Sequence, residues 1–143
     1  MTKILKIAFG AMAISGLAFT AANAETLKLQ ADLTAAQEVP PTTSTGKGTA
    51  AIMIDTATKE ISWKIDYSGL TGDALAAHIH GPADAGVNAG VEVNLGAGGM
   101  KNPLEGKATL TDAQLGDITS GKTYVNIHTA ANKGGEIRGQ VKK

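Results

Sequence analysis

Ile61-Ser62-Trp63-Lys64-Ile65-Asp66-Tyr67 is the stretch whose reading decides the fold. Apolar and polar residues alternate through it, and in an extended strand successive side chains point to opposite faces. Ile61, Trp63, Ile65 and Tyr67 are therefore expected inward, with Ser62, Lys64 and Asp66 on the other face. N-terminal to it, residues 55–60 read as a hairpin connection longer than a two-residue turn. Gly48 to Asp55 reads as the partner strand, with Ala50, Ile52 and Ile54 on one face. Further back, Thr26 to Leu33 alternates in the same way and directs Leu27, Leu29, Ala31 and Leu33 to the core. Between these two, Ala36-Gln37-Glu38-Val39-Pro40-Pro41 breaks the pattern, and its prolines predict an extended, non-helical connection.

C-terminal to the central stretch, residues 69–72 form a turn before Ala76-Ala77-His78-Ile79-His80-Gly81-Pro82. Gly81-Pro82 ends that strand, because proline lacks a ladder donor. A loop rich in Gly, Pro and Asp runs to Gly90, and Val91 to Leu95 is a short strand. Residues 96–103 are flexible by composition, and Gly106 to Leu110 returns to strand. Thr111-Asp112-Ala113-Gln114 resembles a helix start, with Leu115 and Ile118 as apolar positions and Gly121 as the stop. Tyr124 to Thr129 and Glu136 to Val141 are the last two strands. About eight short strands with turns between them and one short helix predict an all-β Greek-key sandwich or barrel.

The 143 residues suffice for one domain. Lys3 and Lys6, an uncharged apolar run from Ile7 to Thr20, and Ala22-Asn23-Ala24 have the layout of a cleaved signal peptide over residues 1–24. The expected domain is residues 25–143, exported to a periplasm or out of the cell. No cysteine follows the signal, so a lipid anchor, disulfides and thiolate ligands are all excluded. Removing residues 1–24 leaves 11 basic against 13 acidic residues, a charge that attracts neither nucleic acid nor an anionic membrane.

The chain has three histidines. His78 and His80 lie two apart on one strand and so share a face, and His128 lies in Tyr124–Thr129. Three neutral imidazoles suit Cu(II) or Zn(II), and at equal geometry copper binds more tightly. Metal affinity is expected to fall as pH drops through the ordinary histidine value of about 6.5. Asn126, on the His128 face, is a candidate to orient that ligand. Met100 in the Gly-rich loop could offer a thioether, and Asp73 or Asp84 an oxygen; packing and turn formation are the alternatives for these. Glu136 and Arg138 share a strand face, as an ion pair or as a solvated edge of little energetic weight. No Gly-x-Ser-x-Gly, phosphate loop or carboxylate pair specifies a hydrolase.

Gln37-Glu38-Val39-Pro40-Pro41, Gly69-Leu70, residues 77–83, Tyr124–Thr129, Asn132 and residues 135–141 resemble the CHRD domain, named for chordin and found in many exported bacterial proteins. Lys133 departs from the proline common there. The family label implies the domain but no activity. A fainter resemblance is to copper-zinc superoxide dismutase, a Greek-key sandwich with a His-x-His pair, a late histidine ligand and a late arginine that Arg138 would match. With no fourth histidine, no zinc site and no disulfide, a full superoxide dismutase is not expected. Two classes follow. One is an exported protein that binds a metal ion, copper preferred and zinc the alternative, for storage, delivery or redox protection. The other is a structural, adhesion or protein-binding module without metal.

Overall fold

The computed structural model describes residues 24–143. The segment read as a signal peptide, apart from Ala24, lies outside the described residues. The strands are β1 (Thr26–Thr34), β2 (Lys47–Asp55), β3 (Glu60–Ser68), β4 (Ala74–His80), β5 (Val91–Asn94), β6 (Leu104–Thr109), β7 (Tyr124–Thr129) and β8 (Ile137–Gln140). One helix, α1 (Asp112–Thr119), links β6 to β7. The strands make one antiparallel sheet in the order β5-β4-β7-β8-β1-β2-β3-β6. Hairpins join β1, β2 and β3, and the non-sequential pairs β8·β1, β4·β7 and β3·β6 carry the crossovers of a Greek-key arrangement.

The sheet coils into a nearly closed barrel around a single core. Alternating residues of β1–β3 (Leu29, Ala31, Leu33, Ala50, Ile52, Ile54, Ile61, Trp63, Ile65) meet Ala77, Ile79, Val93, Val125, Ile127 and Ile137 from the other half. Tyr67 is only partly buried, its hydroxyl donating to Lys101 O at 2.9 Å. The period-two reading therefore predicts the inner face of the first three strands, because each is paired on both sides and buried on one.

Three local expectations change. Strand β6 begins at Leu104, two residues before the expected Gly106, because Leu104 pairs with Ile65 and is itself buried. Residues 35–37 form one 3-10 turn, closed by Glu38 N–H donating to Ala35 O at 3.2 Å, where an extended segment was expected; the prolines act only after it. Leu75 is an extra residue in β4, since Ala74 and Ala76 face consecutive residues of β7, and it points to solvent. Helix α1 starts as expected: Thr111 accepts from Gln114 N–H and the Gln114 side chain accepts from Thr111 N–H, a reciprocal cap.

The sheet's outer face is covered at β7 and β8. Tyr124, Asn126 and Arg138 belong to it, yet all three are buried, beneath residues 36–41 and 83–90. Asn88 Nδ2 donates to Val39 O at 2.9 Å and ties the two covering segments together.

Candidate metal centre

Strand β4 alternates cleanly. Ala77 and Ile79 are fully buried in the core, and His78 and His80 stand on the outer face, half-buried. Strand β7 lies beside it with Ala76 opposite His128, His78 opposite Asn126 and His80 opposite Tyr124. The small side chain of Ala76 leaves the His128 ring free to lean toward β4. Between Ile79 and His80 the pairing with β5 slips, leaving Glu92 as an extra residue. Bulges of this kind redirect neighbouring side chains.

The three rings converge. Their centroids lie 4.9 Å (His78–His128), 5.5 Å (His78–His80) and 5.9 Å (His80–His128) apart. One ligand atom from each lies within 4.8 Å of the other two, and among the described residues no carboxylate joins the group. His80 Nδ1 lies 3.0 Å from Ala89 O, and His128 Nδ1 lies 2.9 Å from Lys133 O. A carbonyl only accepts, so both Nδ1 atoms carry the proton and both Nε2 atoms present lone pairs. His80 Nε2 is buried and has no hydrogen-bond partner among the described residues. His78 Nδ1 lies 3.1 Å from His128 Nε2.

Electrostatics favour the neutral form of His78 and His80. Burial, then the neighbouring His128 and His80, push His78 below its ordinary value. Burial also lowers His80, with His128 and Arg138 adding to it against the opposing bond to Ala89 O. His78 and His80 thus each keep a ring lone pair at a lower pH than an exposed imidazole would allow.

Behind the triad lies a stack that no sequence pattern announces. The His80 ring lies parallel to Tyr124, 4° between planes at 5.0 Å, and the Arg138 guanidinium carbon sits 3.3 Å from the Tyr124 centroid. Arg138 donates to Val87 O at 2.7 Å and Asn88 Oδ1 at 3.0 Å, and Tyr124 OH accepts from Ala89 N–H at 3.1 Å. Segment 87–89, whose carbonyl orients His80, is therefore held by β7 and β8.

Other candidates fall into different roles. Asn126 is 2 % exposed and donates to Glu38 Oε1 at 2.5 Å; no bond to a histidine is present, so it does not orient His128 directly. The Lys133 carbonyl orients His128, as the Ala89 carbonyl orients His80, and a proline at 133 would supply the same carbonyl. Met100 packs against the core cluster, its Sδ over Gly96. Asp84 pairs with Lys122 at 2.5 Å, and Asp73 is exposed.

The solvated edge expected at Glu136 and Arg138 is absent: they are 0 % and 1 % exposed and do not pair with each other. Arg138 is folded beneath the 87–89 segment and does not stand over the histidines as a guard. Glu136 accepts from Ser44 Oγ (2.6 Å), Thr71 N (2.7 Å), Thr71 Oγ1 (2.7 Å), Thr129 Oγ1 (2.5 Å) and Asn132 Nδ2 (3.1 Å). Burial alone would raise its pKa, but the bonds from Ser44, Thr129 and Thr71 outweigh that and bring it down to about 2.

Glu38 was not anticipated. It is 5 % exposed, and burial pushes its carboxyl up to about 7 against the Arg138 charge and the Asn126 bond, both of which lower it. It sits in an irregular segment, where periodicity assigns no face. Gly135 makes room for it: φ is +130°, and a Cβ there would meet Glu38 Oε1 at 2.6 Å as well as the Asn126 amide.

An antiparallel barrel-like sheet carrying three convergent imidazoles on its outer face is the class that fold and site define. The chain matches the CHRD domain over residues 29–141 and belongs to that family. No curated protein and no solved structure matches the chain.

Proposed function

We propose that this CHRD protein is exported and binds one metal ion through His78, His80 and His128, copper in preference to zinc, for storage, delivery or redox protection. The observation that carries the reading is His80 Nε2: a buried lone pair without a partner, aimed by the Ala89 carbonyl bond and close to two more ring nitrogens. An unsatisfied buried acceptor costs about 1–3 kcal/mol, which a bound cation recovers. The donor set fits: three neutral nitrogens, two with their outward N–H held by carbonyls, as metal-ligating imidazoles require. Three protein ligands leave a position for water or a small molecule, where a bound ion would supply redox or Lewis-acid chemistry.

The test is a Cu(II) titration of the mature protein beside the His78→Ala/His80→Ala double variant. Stoichiometric binding by the wild type and its loss in the variant is expected. Equal binding by both, or none by the wild type at micromolar copper, would leave the structural or protein-binding module as the reading.

A further inference from the structure

Resting on that metal reading, we infer that the centre binds its ion in a mixed mode, His78 through Nδ1 and His80 and His128 through Nε2, and that an imidazole–imidazole hydrogen bond between His78 and His128 acts as a latch that the ion must displace.

Two histidines are tied at Nδ1 by backbone carbonyls and have only Nε2 left to offer. His78 differs: its Nδ1 faces no carbonyl and points at His128 Nε2, 3.1 Å away. Because His128 Nδ1 already holds a proton for Lys133 O, its Nε2 is an acceptor. The proton in the 3.1 Å contact therefore belongs to His78, and His78 Nδ1–H donates to His128 Nε2.

That spacing is also a ligand–ligand edge. With metal–nitrogen bonds of about 2.0–2.1 Å, two nitrogens on one ion stand roughly 2.9 Å apart at a right angle and roughly 3.3–3.4 Å apart at the tetrahedral angle. The observed 3.1 Å falls between them, so the two nitrogens already stand at a ligand–ligand spacing, and loading requires the rings to tilt toward the ion rather than to move apart. Had His78 been set to use Nε2, its ring would have to turn over and abandon this contact.

Loading then balances as an exchange. The His78 Nδ1–H bond breaks and its proton leaves to water. The metal–Nδ1 bond forms, the ion takes the freed His128 Nε2 lone pair, and His78 Nε2 picks up a proton from water. Net, His78 changes tautomer and no charge is left on its ring. His80 and His128 keep their Nδ1 protons throughout.

Long-range 15N–1H correlation spectra of the mature protein, empty and with one equivalent of Zn(II) as a diamagnetic probe, test this. In the empty protein all three rings should be Nδ1–H tautomers. With Zn(II), His78 alone should convert to an Nε2–H tautomer with its metal-shifted nitrogen at Nδ1, the other two showing the shift at Nε2. If His78 keeps Nδ1–H and the metal shift appears at its Nε2, the mixed mode is wrong while the metal centre stands. An Nε2–H tautomer at His78 already in the empty protein overturns the latch. No metal-dependent shift at any histidine, with Zn(II) and then Cu(I) in its place, overturns the metal reading itself and this inference with it.

Discussion

Glu136 accepts more hydrogen bonds than any other side chain among the described residues, and they come from three separate segments: Ser44, Thr71, and the turn holding Thr129 and Asn132. An ionised carboxylate that satisfies so many donors acts as a hub joining residues around 44 and 71 to the end of β7. Removing it strands the buried Thr129 hydroxyl and the part-buried donors of Ser44, Thr71 and Asn132, so Glu136→Ala should lower unfolding stability by about 3 kcal/mol in denaturant titration. Its folded value of about 2 lies below the ordinary 4.5. The stability it contributes is full above 4.5 and is lost as pH falls from there toward 2. Glu38 runs the other way, with a folded value of about 7 above the ordinary 4.5. Its contribution is full below 4.5 and is lost as pH rises through 7. Burial raises Glu92 to about 7 as well, so stability measured from pH 4 to 8 should fall less toward the alkaline side in Glu38→Gln than in the wild type, without becoming flat. Identical slopes in the two proteins would mean Glu38 is ionised throughout. Neither role is legible in the sequence, because the decisive partners of these carboxylates lie 65 to 92 residues away.

Elements show where local pattern suffices and where it fails. Strand β3 was readable because its two faces see different solvents along its length, Ile61, Trp63 and Ile65 inside and Lys64 outside. Its partner β6 was misplaced by two residues because it alternates weakly, and its key residue is a glycine. Gly106 lies opposite Trp63, and a Cβ there would come 2.5 Å from Trp63 Cζ2. Gly106→Ala should cost about 1–3 kcal/mol by overpacking, and shortening the indole in Trp63→Leu/Gly106→Ala should make the two costs non-additive. Additive losses would show that the glycine is needed for some other reason. Strand β7 was placed correctly to the residue, yet only the fold reveals that it is buried on both faces. Its Tyr124 holds Ala89 N–H, and Ala89 O holds His80. In Tyr124→Phe the ring stack remains and the tie is lost, so copper affinity should weaken by about 10–100-fold, the usual size of such supporting contacts. Unchanged affinity would show that Arg138, through Val87 and Asn88, holds the segment alone.

At the scale of the whole molecule, residues 1–24 carry the expectation of export. Mass spectrometry of the native protein should find Glu25 as the first residue; an uncleaved chain in the membrane fraction would refute it. Among the described residues no helix is long and apolar enough to cross a membrane. What the sequence by itself determined is local. A side-chain period of two puts Leu29, Ile52 and Ile65 inside and places His78 and His80 together, since both statements need only neighbours two apart on an extended chain. Tertiary structure alone decided which strand lies beside which. It set β7 against β4, slipped the register at Leu75 and Glu92, and so delivered His128 Nε2 to within 3.1 Å of His78 Nδ1. It also folded residues 36–41 and 83–90 over β7 and β8, burying Glu38 and Arg138. Strand pairing across 50 residues and the burial of a polar loop depend on which distant surfaces meet, and no periodicity in the chain encodes that.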